Sequence, residues 1–277
     1  MKLEPGLYIV ATPIGNLSDL SPRAAETLAA ADLLAVEDSR VTAKLLQHIG
    51  IKRPMVPYHD HSGEDVRLRL LAAMATGSVA LVSDAGTPLI SDPGYKLVRD
   101  ARAADIAVTT IPGPSALVAA LTLSGLPTDR FLFAGFLPPK PGARAAAIAE
   151  LAPLRATLVF YESGPRLGGT LAALAEALGD RPAAVAREIS KRFEETAAGT
   201  LPELAARYAD APPKGEIVLV VGPPGEAPPP AEADTDAALR DALATLSPSR
   251  AAARVAAALK LPRKPLYERA IALAGEE

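Results

Sequence analysis

Short apolar runs alternate with helical periodicities through the first 125 residues. "LYIVA" (7–11), "DLLAVE" (32–37), "VALVS" (79–83) and "VTTI" (108–111) are brief, rich in branched side chains and bounded by turn residues, so each predicts a buried strand. The helices between them carry start signals. Ser21-Pro22 and Asp92-Pro93 each set a capping side chain before a proline at the first helical position, where the missing N–H costs nothing. This alternation predicts a largely parallel sheet covered on both faces.

From Gly125 the pattern changes. "RFLFAGF" (130–136), "ATLVFYE" (156–162), "AAVAREI" (183–189), "FEETAAG" (193–199) and "GEIVLVVG" (215–222) read as strands, with helical periodicity at 143–151, 165–178 and 200–208. Some of these strands follow each other directly, which predicts a mixed sheet. "GPPGEAPPP" (222–230) cannot join a sheet and suits a semi-rigid tether. Beyond it Leu239, Leu243 and Leu246 recur at helical spacing, Ser247-Pro248 starts another helix, and "KLPRKP" interrupts before "LYERAIALAG". Short helices around a basic turn look like a helix-turn-helix unit. The expected fold class is therefore α/β in two domains, with a mostly parallel sheet in 1–124 and a mixed sheet in 125–224. A proline-rich linker at 225–234 and a small helical module at 235–277 follow.

Composition adds exclusions. With 49% hydrophobic and 22% charged residues in 277, the chain has the makeup of a soluble globular protein. It shows no cationic start ahead of an apolar signal core and no apolar run of the ~18 residues a membrane span needs, so a cytoplasmic location is expected. The absence of cysteine excludes disulfides, thiolate metal sites and cysteine nucleophiles, and leaves three histidines as the only imidazoles. A net charge of −3 supplies no global attraction for nucleic acid. The sum hides an asymmetry. From Ser247 to Gly275 six cations (Arg250, Arg254, Lys260, Arg263, Lys264, Arg269) face one anion, Glu268, so a basic segment follows an acidic body.

The candidate chemistry lies in the turns after the first strands. "VSDAGTPLISDPG" (82–94) packs aspartates, glycines and prolines directly after an apolar run, at the edge of a parallel sheet where ligands bind. "ATPIGNLSD" (11–19), "EDSRVT" (37–42) and "PGPSALVAA" (112–120) leave neighbouring strands at the same edge, which predicts a cleft. No G-x-G-x-x-G, no G-x-x-x-x-G-K-[ST] and no G-x-S-x-G is present, so dinucleotide, phosphate-loop and serine-hydrolase readings lose their support. "YHDHS" (58–62) brackets Asp60 with His59 and His61; without a third ligand beside them no metal site is read here, and a polar loop or a general base is the better use.

Taken together, "LYIVATPIGNLSDLSPRA", "EDSRVT", "YHDH", "LVSDAGTPLISDPGY", "PGPSA", "DRFLFAGFLP", "FYES", "REISKRFEE" and "KGEIVLVV" resemble, in order and spacing, the tetrapyrrole methylase superfamily. Within it they resemble the family that methylates the ribose 2′-hydroxyl of a cytidine in the decoding region of small-subunit (16S) ribosomal RNA. The resemblance runs from about Leu7 to Val221 and on into the helical tail. It departs at Val41 and Pro165, where histidines are common, so no histidine acts at those positions here.

The resemblance implies S-adenosylmethionine bound between two α/β domains by Pro13, Ile14, Gly15 and Asn16, by Asp84, Ala85, Gly86, Thr87 and Pro88, by Ser115 and Ala116, and by Tyr161. It implies a homodimer acting on small-subunit ribosomal RNA or the assembled 30S subunit, with no part for DNA or a membrane. A ribose hydroxyl is a weak acid, so a base helps its attack; Asp38, His59 and Asp60 are the candidates, with Arg40 orienting a carboxylate or phosphate. RNA contacts are assigned to Lys140, Arg144, Arg166, Lys191 and Arg192 on the body and to Arg250, Arg254, Lys260, Arg263 and Lys264 on the tail. Two other readings stay open at this level: a porphyrin- or corrin-precursor C-methyltransferase, and a non-catalytic RNA-binding assembly protein that keeps the pocket.

Overall fold

The computed structural model describes residues 2–59, 62–225, 232–259 and 261–275, which divide into two compact units, 1–224 and 225–277. The first unit opens with alternating strands and helices: β1 (Gly6–Val10), α1 (Pro22–Ala30), β2 (Leu33–Val36), α2 (Ser39–His48), β3 (Met55–Pro57), α3 (Glu64–Thr76), β4 (Ser78–Val82), α4 (Tyr95–Ala103), β5 (Val108–Ile111) and α5 (Ala116–Ser124). The five strands form one sheet in the order β3-β2-β4-β1-β5, and every pairing is parallel.

The central strand β4 is buried at all five positions, which explains its unbroken apolar run. Its alternate side chains serve opposite layers. Ala80 and Val82 pack with Leu28 of α1 and Leu46 of α2, whereas Val79 and Leu81 pack with Leu70 of α3 and Leu97 of α4. Because α1 and α4 leave adjacent strands β1 and β4 toward opposite faces, the loops after these two strands part from each other and open a crevice at the carboxyl edge. The topology thus places 11–16 and 83–94 on either side of the switch point.

The rest of this unit comprises β6 (Phe131–Phe136), α6 (Pro141–Leu151), β7 (Thr157–Ser163), α7 (Gly164–Leu178), β8 (Pro182–Arg187), β9 (Glu195–Thr200), α8 (Leu201–Arg207) and β10 (Glu216–Val221). The sheet order is β6-β7-β10-β8-β9, parallel only between β6 and β7. Along β10, Ile217, Leu219 and Val221 pack with α7 and α8, while Val218 and Val220 pack with Leu117 and Leu121 of α5. The helix α5 lies before the boundary drawn at Gly125, yet it covers the second sheet.

One strand goes unpredicted and one local expectation fails. The strand β3 carries no alternation signal, being three residues long and ending at Pro57; it pairs only with β2, at the sheet edge, where a missing N–H is tolerated. Asp92 does not cap a helix at Pro93. The helix α4 starts at Tyr95 after Gly94, whose φ of 137° breaks the helical path. Ser21, in contrast, caps α1 by accepting the Ala24 N–H at 3.1 Å.

The second unit is built of α9 (Glu232–Leu243), α10 (Pro248–Leu259) and α11 (Arg263–Ala274) around Leu239, Val255, Leu266 and Leu273, with Leu243 and Leu246 at its margin. Helix α9 begins inside the stretch read as linker. Arg269 Nε donates to Asp236 Oδ1 at 2.8 Å and ties α11 to α9.

Candidate active site

The turns at the carboxyl edge of the first sheet are laced together by hydrogen bonds. Thr12 and Gly86 exchange backbone bonds, the Thr12 N–H donating at 2.8 Å and the Gly86 N–H at 3.1 Å. Gly86 has φ 79°, and a Cβ there would lie 3.2 Å from Ile14 Cγ2, so glycine permits both the turn and the close approach. The Thr87 hydroxyl donates to the Pro114 carbonyl at 3.0 Å, the Asp84 N–H to Glu37 Oε2 at 3.2 Å, and the Asp38 N–H to Asp84 Oδ1 at 3.0 Å. Loops after β1, β2, β4 and β5 therefore form one rigid wall.

The facing wall comes from the second sheet. Together they enclose a cavity of about 400 Å³, within the usual range of ligand pockets. Of the residues the resemblance assigns to the methyl donor, Ile14, Asp84, Ala85, Gly86, Thr87, Ser115, Ala116 and Tyr161 line it. Pro13, Gly15, Asn16 and Pro88 do not. Gly15 lies under the methylenes of Lys191, and Asn16 accepts the Ser18 N–H at 3.1 Å to cap a short 3-10 turn, Leu17–Asp19. Glu37, Asp92, Glu162, Ile189, Glu216 and Val218 line the cavity without having been singled out as donor contacts. Most belong to strand ends whose facing partner depends on sheet pairing, while Asp92 was read as a cap.

The lining is acidic. Glu37, Asp84, Asp92, Glu162 and Glu216 contribute carboxylates, and no lysine, arginine or histidine lines it among the described residues. Glu162 is 3% exposed and accepts from the Ser163 N–H at 2.8 Å and the Thr170 hydroxyl at 2.7 Å, with Arg166 Nε beside it at 3.3 Å. Glu216 pairs with Lys191 at 2.9 Å. Among the described residues Glu37, Asp84 and Asp92 hold no ion pair. Burial pushes the half-buried Asp92 carboxyl up to about 6; a hydrogen bond with Ser83 opposes this, and the charges of Glu37 and Asp84 reinforce it. Tyr161, also in the lining, stacks edge-on with Phe133 (4.8 Å) and Phe136 (5.8 Å), and burial pushes its phenol up.

The other assigned side chains among the described residues lie outside the cavity lining. Asp38 is the N-cap of α2 and is clasped by Arg40, whose Nε lies 3.0 Å from Oδ1; hydrogen bonds from the Arg40 side chain and backbone hold its carboxyl at about 2. His59 is exposed, and its N–H donates to the Ser62 hydroxyl at 2.7 Å. Asp60 and His61 lie outside the described residues.

Among the basic positions, Lys140 is exposed at the start of α6, Arg144 is partly buried against α7, and Arg166 is tied to Glu162 and the Leu137 carbonyl. Lys191 bridges Glu188 and Glu216, and Arg192 stacks over Phe193 at 5.7 Å. In the second unit Arg250, Arg254 and Lys264 are exposed, Arg263 donates to the Ser249 hydroxyl at 3.0 Å, and Lys260 lies outside the described residues.

Comparison with known proteins agrees with this architecture. Residues 6–205 match the family model for tetrapyrrole (corrin/porphyrin) methylases, and residues 229–274 match that for the RsmI C-terminal HTH domain. A ribosomal RNA small subunit methyltransferase I of Erythrobacter litoralis is 58% identical over 98% of this chain and 96% of its own length. One of Mesorhizobium japonicum is 52% identical over 98% and 93%. A solved uroporphyrin-III C-methyltransferase of Thermus thermophilus, complexed with S-adenyl homocysteine, shares the fold at 22% identity, with TM-score 0.53 over 78% of this chain and 97% of that one. The chain belongs to the tetrapyrrole methylase family and, within it, to the ribosomal RNA small subunit methyltransferase I family.

Proposed function

We propose that this chain methylates the ribose 2′-hydroxyl of a cytidine in the decoding region of 16S ribosomal RNA, using S-adenosylmethionine. On this reading it acts in the cytoplasm, as a homodimer, on the RNA or the assembled 30S subunit. The charge of the cavity carries the reading. Carboxylates at Glu37 and Asp84, which hold no ion pair among the described residues, suit a cationic sulfonium and repel the phosphates of nucleotide cofactors. A unit charge pair 4 Å apart is worth about 4 kcal/mol at the effective dielectric of a protein surface. Apolar Ile90, Ala116, Ile217 and Val218 suit the uncharged adenine ring of the donor. The names of the close relatives support the same substrate class over a tetrapyrrole or a purely structural role.

When bound, the donor supplies a methyl group already activated by the positive sulfur. The work left to the protein is alignment, which supplies up to about 7–11 kcal/mol for well-oriented reactants. The hydrogen-bonded loops at Thr12, Asp84, Gly86 and Thr87 hold the donor, and Tyr161 with Phe136 shields it from water. Arg40, exposed three residues after the cavity residue Glu37, orients an RNA phosphate, with His59 following the neighbouring strand β3 at the same edge; Asp60, outside the described residues, is kept as a candidate on sequence alone. Lys140, Lys191, Arg192 and the cations of α10 and α11 contact the backbone of the substrate.

The test is methyl transfer to 30S subunits from cells lacking the protein, read by mass spectrometry of the RNA. The expected result is one new 2′-O-methylcytidine. Donor binding without any gain in the RNA refutes the reading.

A further inference from the structure

The displaced start of α4 changes what Asp92 can do. In the pattern Asp-Pro the carboxylate is expected to be occupied by backbone N–H groups of the next helix. Here Gly94, at φ 137°, delays the helix to Tyr95, no side chain caps it, and Asp92 instead lines the cavity. The flanking residues Leu89 and Ser91 have φ of 74° and 63°, a left-handed conformation that side-chain-bearing residues adopt only when their surroundings impose it. The loop is held in this shape by packing: a Cβ on Gly94 would lie 2.8 Å from Leu81 Cδ2.

We infer that Asp92 accepts the ribose hydroxyl proton during methyl transfer, with Ser83 as its positioning residue. The inference rests on the methyl-transfer reading above. Ser83 is 3% exposed, its hydroxyl donates to the Ala85 carbonyl at 3.4 Å, and it sits near enough to Asp92 to hold that carboxyl down. One hydroxyl therefore serves both states of the acid. A turn of the hydroxyl from Ala85 to Asp92 stabilises the charged carboxylate; when Asp92 holds the proton, Asp92 donates to Ser83 and the hydroxyl stays on Ala85.

The groups facing Asp92 are Glu37 from the end of β2, Asp84 from its own loop, and Tyr161, Glu162 and Glu216 from the second sheet. No cation among the lining residues draws the proton away. Asp38 differs on each count: Arg40 occupies its carboxylate and holds it at about 2, whereas burial holds Asp92 at about 6, closer to the working pH that favours a base. In the step, an electron pair of the 2′-oxygen forms the bond to the methyl carbon. The carbon–sulfur bond breaks with its pair going to sulfur. The hydroxyl proton passes to Asp92 and then to water.

The experiment compares the full chain with Asp92→Asn and Ser83→Ala by three readouts: rate against pH, donor affinity by calorimetry, and carbon-13 titration of the Asp92 carboxyl in the free protein. The expected wild-type rate rises through a pH of about 6, matching the carboxyl titration. Asp92→Asn is expected to lower the rate by about 10²–10⁴-fold and abolish that rise while donor affinity is unchanged. Ser83→Ala is expected to move both the rise and the titration upward, because the lost hydrogen bond held the carboxyl down. An active wild type with an equally active Asp92→Asn overturns the inference alone, as does loss of donor binding in Asp92→Asn. A wild type that binds the donor but methylates no small-subunit RNA overturns the functional reading, and the inference with it.

Discussion

Gly94→Ala tests whether the loop that carries Asp92 is held by packing. At φ 137° an alanine must adopt a conformation that costs about 1–3 kcal/mol. Its Cβ also meets Leu81 Cδ2 at 2.8 Å and Leu89 at 3.2 Å, and Leu81 is 2% exposed, so the methyl cannot escape into solvent. Overpacking of this kind costs about 1–3 kcal/mol, giving about 2–6 kcal/mol in all. Gly142→Ala supplies the opposite sign. Gly142 lies in the first turn of α6 with nothing within 4 Å of a new Cβ, so alanine is expected to stabilise by about 0.5–1 kcal/mol. Urea unfolding of the full chain, followed by far-ultraviolet circular dichroism, measures both. Gly94→Ala as stable as wild type would refute the claim that Gly94 is required by its backbone and neighbours.

Four further outcomes are expected. Asp92 has its carboxyl raised in the folded state, so its neutral form is favoured; that contribution is complete at low pH and is lost as pH rises through about 6, and Asp92→Asn is therefore expected to melt above wild type at pH 8 but not at pH 4. Asp38 has the opposite sign: its carboxyl is lowered from 3.8 to about 2, so its contribution is present above 3.8 and disappears as pH falls toward 2, and thermal melts of Asp38→Asn are expected to lose that part of the acid sensitivity. Thr170→Val removes a donor from the buried Glu162 carboxylate and is expected to cost about 1.5–3 kcal/mol in the same urea assay, where an unchanged midpoint would discount the 2.7 Å bond. Deleting 231–277 is expected to weaken RNA binding and flatten its salt dependence while calorimetry shows the donor site intact; equal RNA affinity at low salt would remove the tail from recognition.

Periodicity alone located β1, β2, β4 and β5, because a parallel strand buried on both faces must be a short apolar run bounded by turns. It missed β3, which is too short to alternate and is recognised only by its pairing with β2. The cavity-lining residues Ile14, Asp84 to Thr87, Ser115, Ala116 and Tyr161 stand in motifs the resemblance singles out, since their turns are local chemistry. The acidic partners Glu37, Glu162 and Glu216 were not, because their convergence depends on how β2, β7 and β10 are ordered in two different sheets.

Asp92 marks the division most sharply. The sequence determined that an aspartate, a proline and a glycine follow β4, and by local rules alone that aspartate caps a helix. Only the tertiary structure decided that Gly94, wedged against Leu81 and Leu89, turns the chain through a left-handed conformation and gives the carboxylate to the cavity. Capping energies are local and modest, about 1 kcal/mol, and contacts between residues distant in sequence override them.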